Sequence, residues 1–173
     1  MWHYQPSRSD KDLRDRADWL VGQLELPDGA DLEMIVGRVA DLTGRRIDVE
    51  PVGDRDWETV TGLLLIDDTR ARILSRRSDP RWYQFHTVLH ELAHLLWGHP
   101  GCGTLPWRHA GMKHVGNARA VLARGVVTRD FERSIDYGNL DAVVEAEAEK
   151  LAQLLSAIVL ATPQARDEAV FGA

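Results

Sequence analysis

The chain has a single cysteine, no long apolar run and no surplus of positive charge, and each absence narrows what it can be. With Cys102 alone there is no internal disulfide and no cysteine-rich zinc knuckle, which fits a reducing cytoplasm. Any metal would have to rest on histidine and carboxylate ligands. No stretch approaches the roughly 20 consecutive apolar residues of a transmembrane helix. The opening MWHYQPSRSDKDLRDR lacks the apolar core of a secretory signal, so a cytoplasmic protein without membrane attachment is expected. A formal net charge of −6 argues against a sequence-independent grip on nucleic acid, and no direct nucleic-acid partner is expected. What remains is ordinary. With 44% hydrophobic and 28% charged residues in 173, the composition is that of a folded domain able to bury a core, and residues 1–173 read as one domain.

Apolar spacing predicts N-terminal helices within 10–43. Over 10–25 the stripe is Leu13, Ala17, Leu20, Val21 and Leu24, with Ser9 as N-cap. Over 31–43 it is Leu32, Ile35, Val36, Val39 and Leu42, with Gly44 as the stop. RIDVEPV (46–52) alternates as a half-buried strand does, and TVTGLLLIDDTRARILSRR (59–77) reads as two strands turning at Asp67–Arg70. A small antiparallel sheet over 46–77 follows. Ser78-Asp79-Pro80 supplies a capping residue and a proline for the first helical position, opening a helix over 80–98 that Gly98 and Pro100 end. Residues 100–139 read as an insertion, with NARAVLAR (117–124) as a short helix. Asn139 caps a last helix, 140–160, which Pro163 closes. Helices, a small sheet packed against them, then more helix make an α+β fold.

Inside the apolar run of the third helix stands HTVLHELAHLLWGH (86–99), with His90, Glu91 and His94 in the order H-E-x-x-H. Ionisable groups in such a stripe are unfavourable unless something pairs with or binds them. Residues four apart share a helix face, with Cβ atoms about 5–6 Å apart, so His90 and His94 can aim two nitrogens at one zinc ion. Glu91 then lies beside the metal without coordinating it. From there it can take a proton from water that the zinc acidifies and pass it to a leaving amine.

A catalytic zinc needs a third protein ligand. The extension H-E-x-x-H-x-x-G-x-x-H fails, because Trp97 and Pro100 occupy its glycine and histidine positions. On a continuous helix His99 is rotated away from both ligands. The last helix, NLDAVVEAEAEKLAQLLSAIVLA, offers Glu145, Glu147 and Glu149. Its buried face is drawn by Val144, Ala148, Leu151, Ala152, Leu155, Ile158 and Val159. Glu149 aligns with Gln153 and Ser156, towards solvent. Glu145 lies at one edge of the buried face, in a seam with Ala148, Ala152 and Leu155, and Glu147 somewhat nearer the middle with Leu151, Leu154 and Ile158; periodicity leaves them about level.

Three features in order carry a resemblance: GLLLIDDTRARILS, then WYQFHTVLHELAHLLWGH, then EAEAEKLAQLL. Together they resemble the ImmA/IrrE family of metallopeptidases over roughly residues 31–160. In that family a pattern E-x-E-A-N-x-F-A-x-x-L-L gives the third zinc ligand from its first glutamate, which here is Glu145. Ala148 and Ala152 match the alanines, Leu151 stands for the phenylalanine and Leu155 for the first leucine. Glu149 stands where the family has asparagine, and Ser156 replaces the second leucine. The resemblance implies a small zincin-like α+β domain with Zn2+ on His90, His94 and Glu145 and with Glu91 as general base. It further implies a protein substrate, a helix-turn-helix transcriptional repressor cleaved under stress. A second reading is a zinc-fold module that binds and sequesters a regulator without cleaving it, as in a toxin–antitoxin-like pair. A third is a structural domain with no metal. An oxyanion-stabilising group should exist as well; the sequence does not place it, and Tyr137, His109 and His114 are candidates that read equally as surface or loop residues.

Overall fold

The computed structural model describes residues 4–53, 60–99, 119–124, 135–136 and 138–161. Its elements are α1 (Asp10–Gln23), α2 (Leu32–Thr43), β1 (Arg46–Val52), β2 (Val60–Ile66), β3 (Arg70–Arg76), α3 (Arg81–Trp97), β4 (Arg119–Arg124) and α4 (Leu140–Leu160). This is an α+β architecture. Tyr137, His109, His114 and Pro163 lie outside the described residues. Among those residues no helix is long and apolar enough to cross a membrane.

The helix ends follow local chemistry. The Ser9 side chain accepts from the Asp12 N–H, Asp31 accepts from Met34, and Asn139 accepts from Asp141 and Ala142. Each of these satisfies amides that the first turn leaves without partners. Gly44 ends α2 in the left-handed region at φ 66, where a side chain would be strained. At α3 the expectation shifts by one residue. Pro80 is itself the N-cap, at φ −54 and ψ 147, and no side chain caps the helix. Its carbonyl accepts from Tyr83 and Gln84 at 2.9 and 3.0 Å, and the Gln84 amide donates back to the Asp79 carbonyl at 2.7 Å.

The sheet runs β1-β3-β2-β4. The β2–β3 hairpin forms where the alternation placed it, and Asp67 holds the turn by accepting from the Thr69 and Arg70 N–H groups at 2.8 and 2.7 Å. Two expectations are corrected. The sheet is mixed, because β1 pairs parallel with β3. The tight hairpin makes β3 the neighbour of β2, and β4 takes the other side of β2, so β1 joins the free edge of β3. One strand therefore separates β1 from β2, a gap of about 10 Å. Ion pairs Arg70–Asp48 and Arg72–Glu50 tie the parallel pair together. Residues 119–124, read as helix, form β4, antiparallel to β2 with Leu63 opposite Leu122. Helix propensity is worth only tenths of a kcal/mol per residue. An open row of backbone donors and acceptors along β2 outweighs that preference and draws this segment into extended pairing.

α3 lies at the centre of the fold. Phe85 and every residue from Thr87 to Trp97 are buried, against the sheet on one side and α2 and α4 on others. A helix apolar nearly all round must be enclosed, and Val88, Leu89, Leu92, Leu95 and Leu96 join Leu20, Ile35, Ile73, Leu151 and Leu155 in one core. α1 packs on α4, burying Leu13, Ala17 and Leu20. β2 approaches α3 so closely at Gly62 that a Cβ there would collide with Thr87 Cγ2 and sit 2.7 Å from Glu91 Oε1. Thr87 is β-branched and stiff, so it cannot swing aside. We expect Gly62→Ala to destabilise the fold by about 1–3 kcal/mol through overpacking. Thermal or denaturant unfolding checks this, and an unchanged midpoint would contradict so close a contact.

Candidate metal centre

The enclosed helix turns His90 and His94 towards Glu145 of α4, and Thr87 and Glu91 towards Gly62 of β2. His90, Glu91 and His94 are 8, 0 and 1% exposed. His90 Nε2 lies 3.0 Å from His94 Nε2 and 3.4 Å from Glu145 Oε2, and Glu145 Oε1 lies 3.9 Å from His94 Nε2. The three expected ligands thus meet, with Glu145 on α4 lying 51 positions beyond His94 on α3. Tetrahedral zinc with bonds of about 2.0–2.1 Å sets ligand atoms roughly 3.3 Å apart, and the first two spacings fall on either side of that value. The set is two imidazoles and a carboxylate, the donors such an ion takes.

Glu91 supplies the other indication. It is fully enclosed between α3 and Gly62, and neither carboxylate oxygen has a hydrogen-bond partner among the described residues. A buried polar group left unpaired is unfavourable by roughly 1–3 kcal/mol, and a charged one by more. Burial raises its pKa to about 8, with the His90 charge pulling down and Glu145 pushing up. Such a group is poised to accept or donate a proton near neutrality.

The outer nitrogens of both imidazoles are occupied too. His90 Nδ1 lies 3.5 Å from Glu149 Oε2, which also takes His86 Nε2 at 3.2 Å. Burial disfavours charge on His90, yet Glu145, Glu149 and Glu91 together outweigh it and raise its pKa to about 10. Glu149 was expected to face solvent and does not; its side chain is 13% exposed. A wheel drawn from apolar residues missed that imidazoles can line the far side of the interface. By the same token Val144 is only half-buried, while Val143 and Ala146 are buried. His86, His90 and Glu149 form a second group with metal-ligand spacing, but it shares His90 with the first and would have to take its outer nitrogen.

His94 is served by a residue that periodicity turned away. Helix α3 stops at Trp97, and Gly98 at φ 68 reverses the chain. The His99 amide donates to the His94 carbonyl at 3.1 Å and the Gly98 amide to Leu95 at 3.2 Å, a Schellman closure. The His99 ring stacks on Trp97 at 6.0 Å, which brings His99 Nδ1 to 2.8 Å from His94 Nδ1 and His99 Nε2 to 3.0 Å from Glu147 Oε2. Glu147, fully buried, also accepts from the Tyr4 hydroxyl at 2.8 Å and from the Ser7 amide at 2.7 Å, with Arg16 3.8 Å away. Its backbone carbonyl takes the Trp97 indole N–H at 3.0 Å. The helix stop at Gly98 was the signal in the sequence that could have found His99.

Comparison with protein-family models, curated proteins and solved structures finds no match, so the activity has to be argued from this geometry.

Two outcomes follow. Glu145→Ala should lose the metal while folding almost normally, since that side chain is a third exposed. Glu147→Ala should destabilise on the order of 3–5 kcal/mol, because it strips a buried network of its charge. Metal titration paired with thermal unfolding separates them, and the reverse order would overturn the arrangement. The second outcome concerns pH. His90 titrates near 6.5 when unfolded and about 10 when folded. Its proton therefore stabilises the metal-free fold fully below about pH 6.5, and that contribution fades as pH rises towards 10. A metal ion takes the same nitrogen, so zinc affinity should rise with pH across 6.5–9 by up to about tenfold per unit, with proton release visible by calorimetry in buffers of different ionisation heat. A pH-independent affinity would contradict it.

Proposed function

We propose that this chain is a zinc-dependent endopeptidase of the ImmA/IrrE kind, with a zincin-like site in which His90, His94 and Glu145 hold the ion. One observation supports this above the others: Glu91, buried and without a hydrogen-bond partner among the described residues, stands one residue from His90 and feels the charges of His90 and Glu145. A purely structural domain gains nothing from such a carboxylate, and a binding scaffold has no use for a proton acceptor. When bound, zinc would polarise a peptide carbonyl and acidify a water molecule.

The residues of the chain do the rest. Glu91 takes a proton from the attacking water and hands it to the leaving amine. His94, held neutral by burial and by the neighbouring imidazoles, keeps a lone pair for the ion. The enclosure of Glu91 by Gly62 and Thr87 keeps bulk water from hydrating the carboxylate. A helix-turn-helix transcriptional repressor is the proposed substrate, on the strength of the motif resemblance, and a cytoplasmic setting goes with it.

Glu91→Gln should retain zinc and lose cleavage by about 10²–10⁴-fold, because it removes the proton acceptor and leaves the ligands. Incubation of zinc-loaded protein with purified helix-turn-helix regulators, read by intact mass, checks this. Cleavage near the wild-type rate in that variant would rule the mechanism out.

A further inference from the structure

We infer that Glu147 and His99 are positioning residues that lock His94 into the tautomer whose Nε2 is bare and faces the candidate metal centre. The inference rests on the metal-centre reading above and assigns the two groups behind it. It follows from counting donors. The chain of contacts is Glu147 Oε2, His99 Nε2 at 3.0 Å, His99 Nδ1, and then His94 Nδ1 at 2.8 Å. An ionised carboxylate only accepts hydrogen bonds, so His99 Nε2 carries a proton. A neutral His99 then has a bare Nδ1, which can only accept, and the proton between the two rings belongs to His94 Nδ1. A neutral His94 with its proton on Nδ1 has its lone pair on Nε2, the nitrogen 3.0 Å from His90 Nε2.

Each premise has its own support. Glu147 lies within a ring of donors, its two oxygens taking the Ser7 amide and hydroxyl, the Tyr4 hydroxyl and His99 Nε2. His94 and His99 are 1 and 5% exposed, and so deep a burial disfavours a charged ring. Both rings are held on two sides by other rings. His94 is flanked by His90 and His99 at centroid distances of 4.8 and 4.9 Å. His99 stacks on Trp97 at 6.0 Å and makes a T-shaped contact with Tyr4 at 4.9 Å. His90 shows the same plan with one fewer link, its Nδ1 turned to Glu149. The three glutamates of α4 thus divide one task, Glu145 facing the inner nitrogens while Glu147 and Glu149 hold the outer ones. A ligand histidine whose outer N–H is fixed by a carboxylate is both oriented and more basic, and loss of such a partner weakens metal binding about 10–100-fold.

The test reads the tautomers directly, in metal-free protein labelled with ¹⁵N at histidine, through long-range ¹⁵N–¹H couplings near pH 8. Wild type should show His94 protonated on Nδ1 and His99 on Nε2. His99→Phe, which keeps the stacked ring and removes both nitrogens, should release His94 to a mixture or to the Nε2–H form and weaken zinc about 10–100-fold in a chelator competition. Glu147→Gln, which still offers an accepting oxygen, should preserve the His94 tautomer and bind zinc more tightly than His99→Phe. A wild-type His94 protonated on Nε2 would overturn the inference, as would folded His99→Phe protein binding zinc like wild type. If His99→Phe fails to fold, the wild-type tautomers and Glu147→Gln still decide. If wild type binds no zinc, the metal reading fails, and the tautomer result stands separately.

Discussion

The structure depends on meeting the electrostatic penalty of placing two imidazoles and a carboxylate on the most enclosed helix of the fold. α3 is surrounded by the sheet, α2 and α4, and a group that ionises there must find charge or hydrogen bonds from neighbouring elements. α4 supplies them. Its first turns carry carboxylates where its later turns carry Leu151, Ala152, Leu155 and Val159 into the same core. One helix is therefore polar against α3 at one end and apolar at the other. The N-terminal segment joins in from behind, as Tyr4 and Ser7 close over Glu147 and Arg16 sits 4.8 Å over the Trp97 ring. Of all these groups Glu91 alone is left without a partner among the described residues. Among the described residues the fold thus gives His90, His94, His99, Glu147 and Glu149 partners and gives the Glu91 carboxylate none, the feature on which the proposed role of Glu91 rests.

Much of this was legible in the sequence where the governing interactions are local. Ser9 and Asn139 as caps, Gly44 and Gly98 as stops, the Asp67–Arg70 turn and the apolar stripes all act within a few residues of themselves. The H-E-x-x-H spacing belongs to the same class, because helix geometry alone puts His90 and His94 on one face. Periodicity left Glu145 level with Glu147, and the motif resemblance pointed to Glu145, which lies 3.4 Å from His90 and 3.9 Å from His94.

The misread parts are set by partners far along the chain. RAVLAR has a helix-leaning composition, and its strand conformation comes from the unpaired side of β2. The parallel pairing of β1 depends on which edges β2 and β4 leave open. Glu149 was turned outward because a wheel of apolar residues cannot register a buried interface made of imidazole and carboxylate. His99 was turned away because the wheel was continued past Gly98, the residue that ends the helix. The last two errors fall at the candidate site, where ionisable groups replace apolar ones in buried positions.

The central claim is that His90, His94 and Glu145 converge on one ion. The most direct measurement is anomalous diffraction at the zinc edge from crystals grown with equimolar zinc. A single peak about 2.0–2.1 Å from His90 Nε2, His94 Nε2 and one oxygen of Glu145 is the predicted result. A peak held by His86 and Glu149 with His94 unbound, or no peak at all, would contradict it.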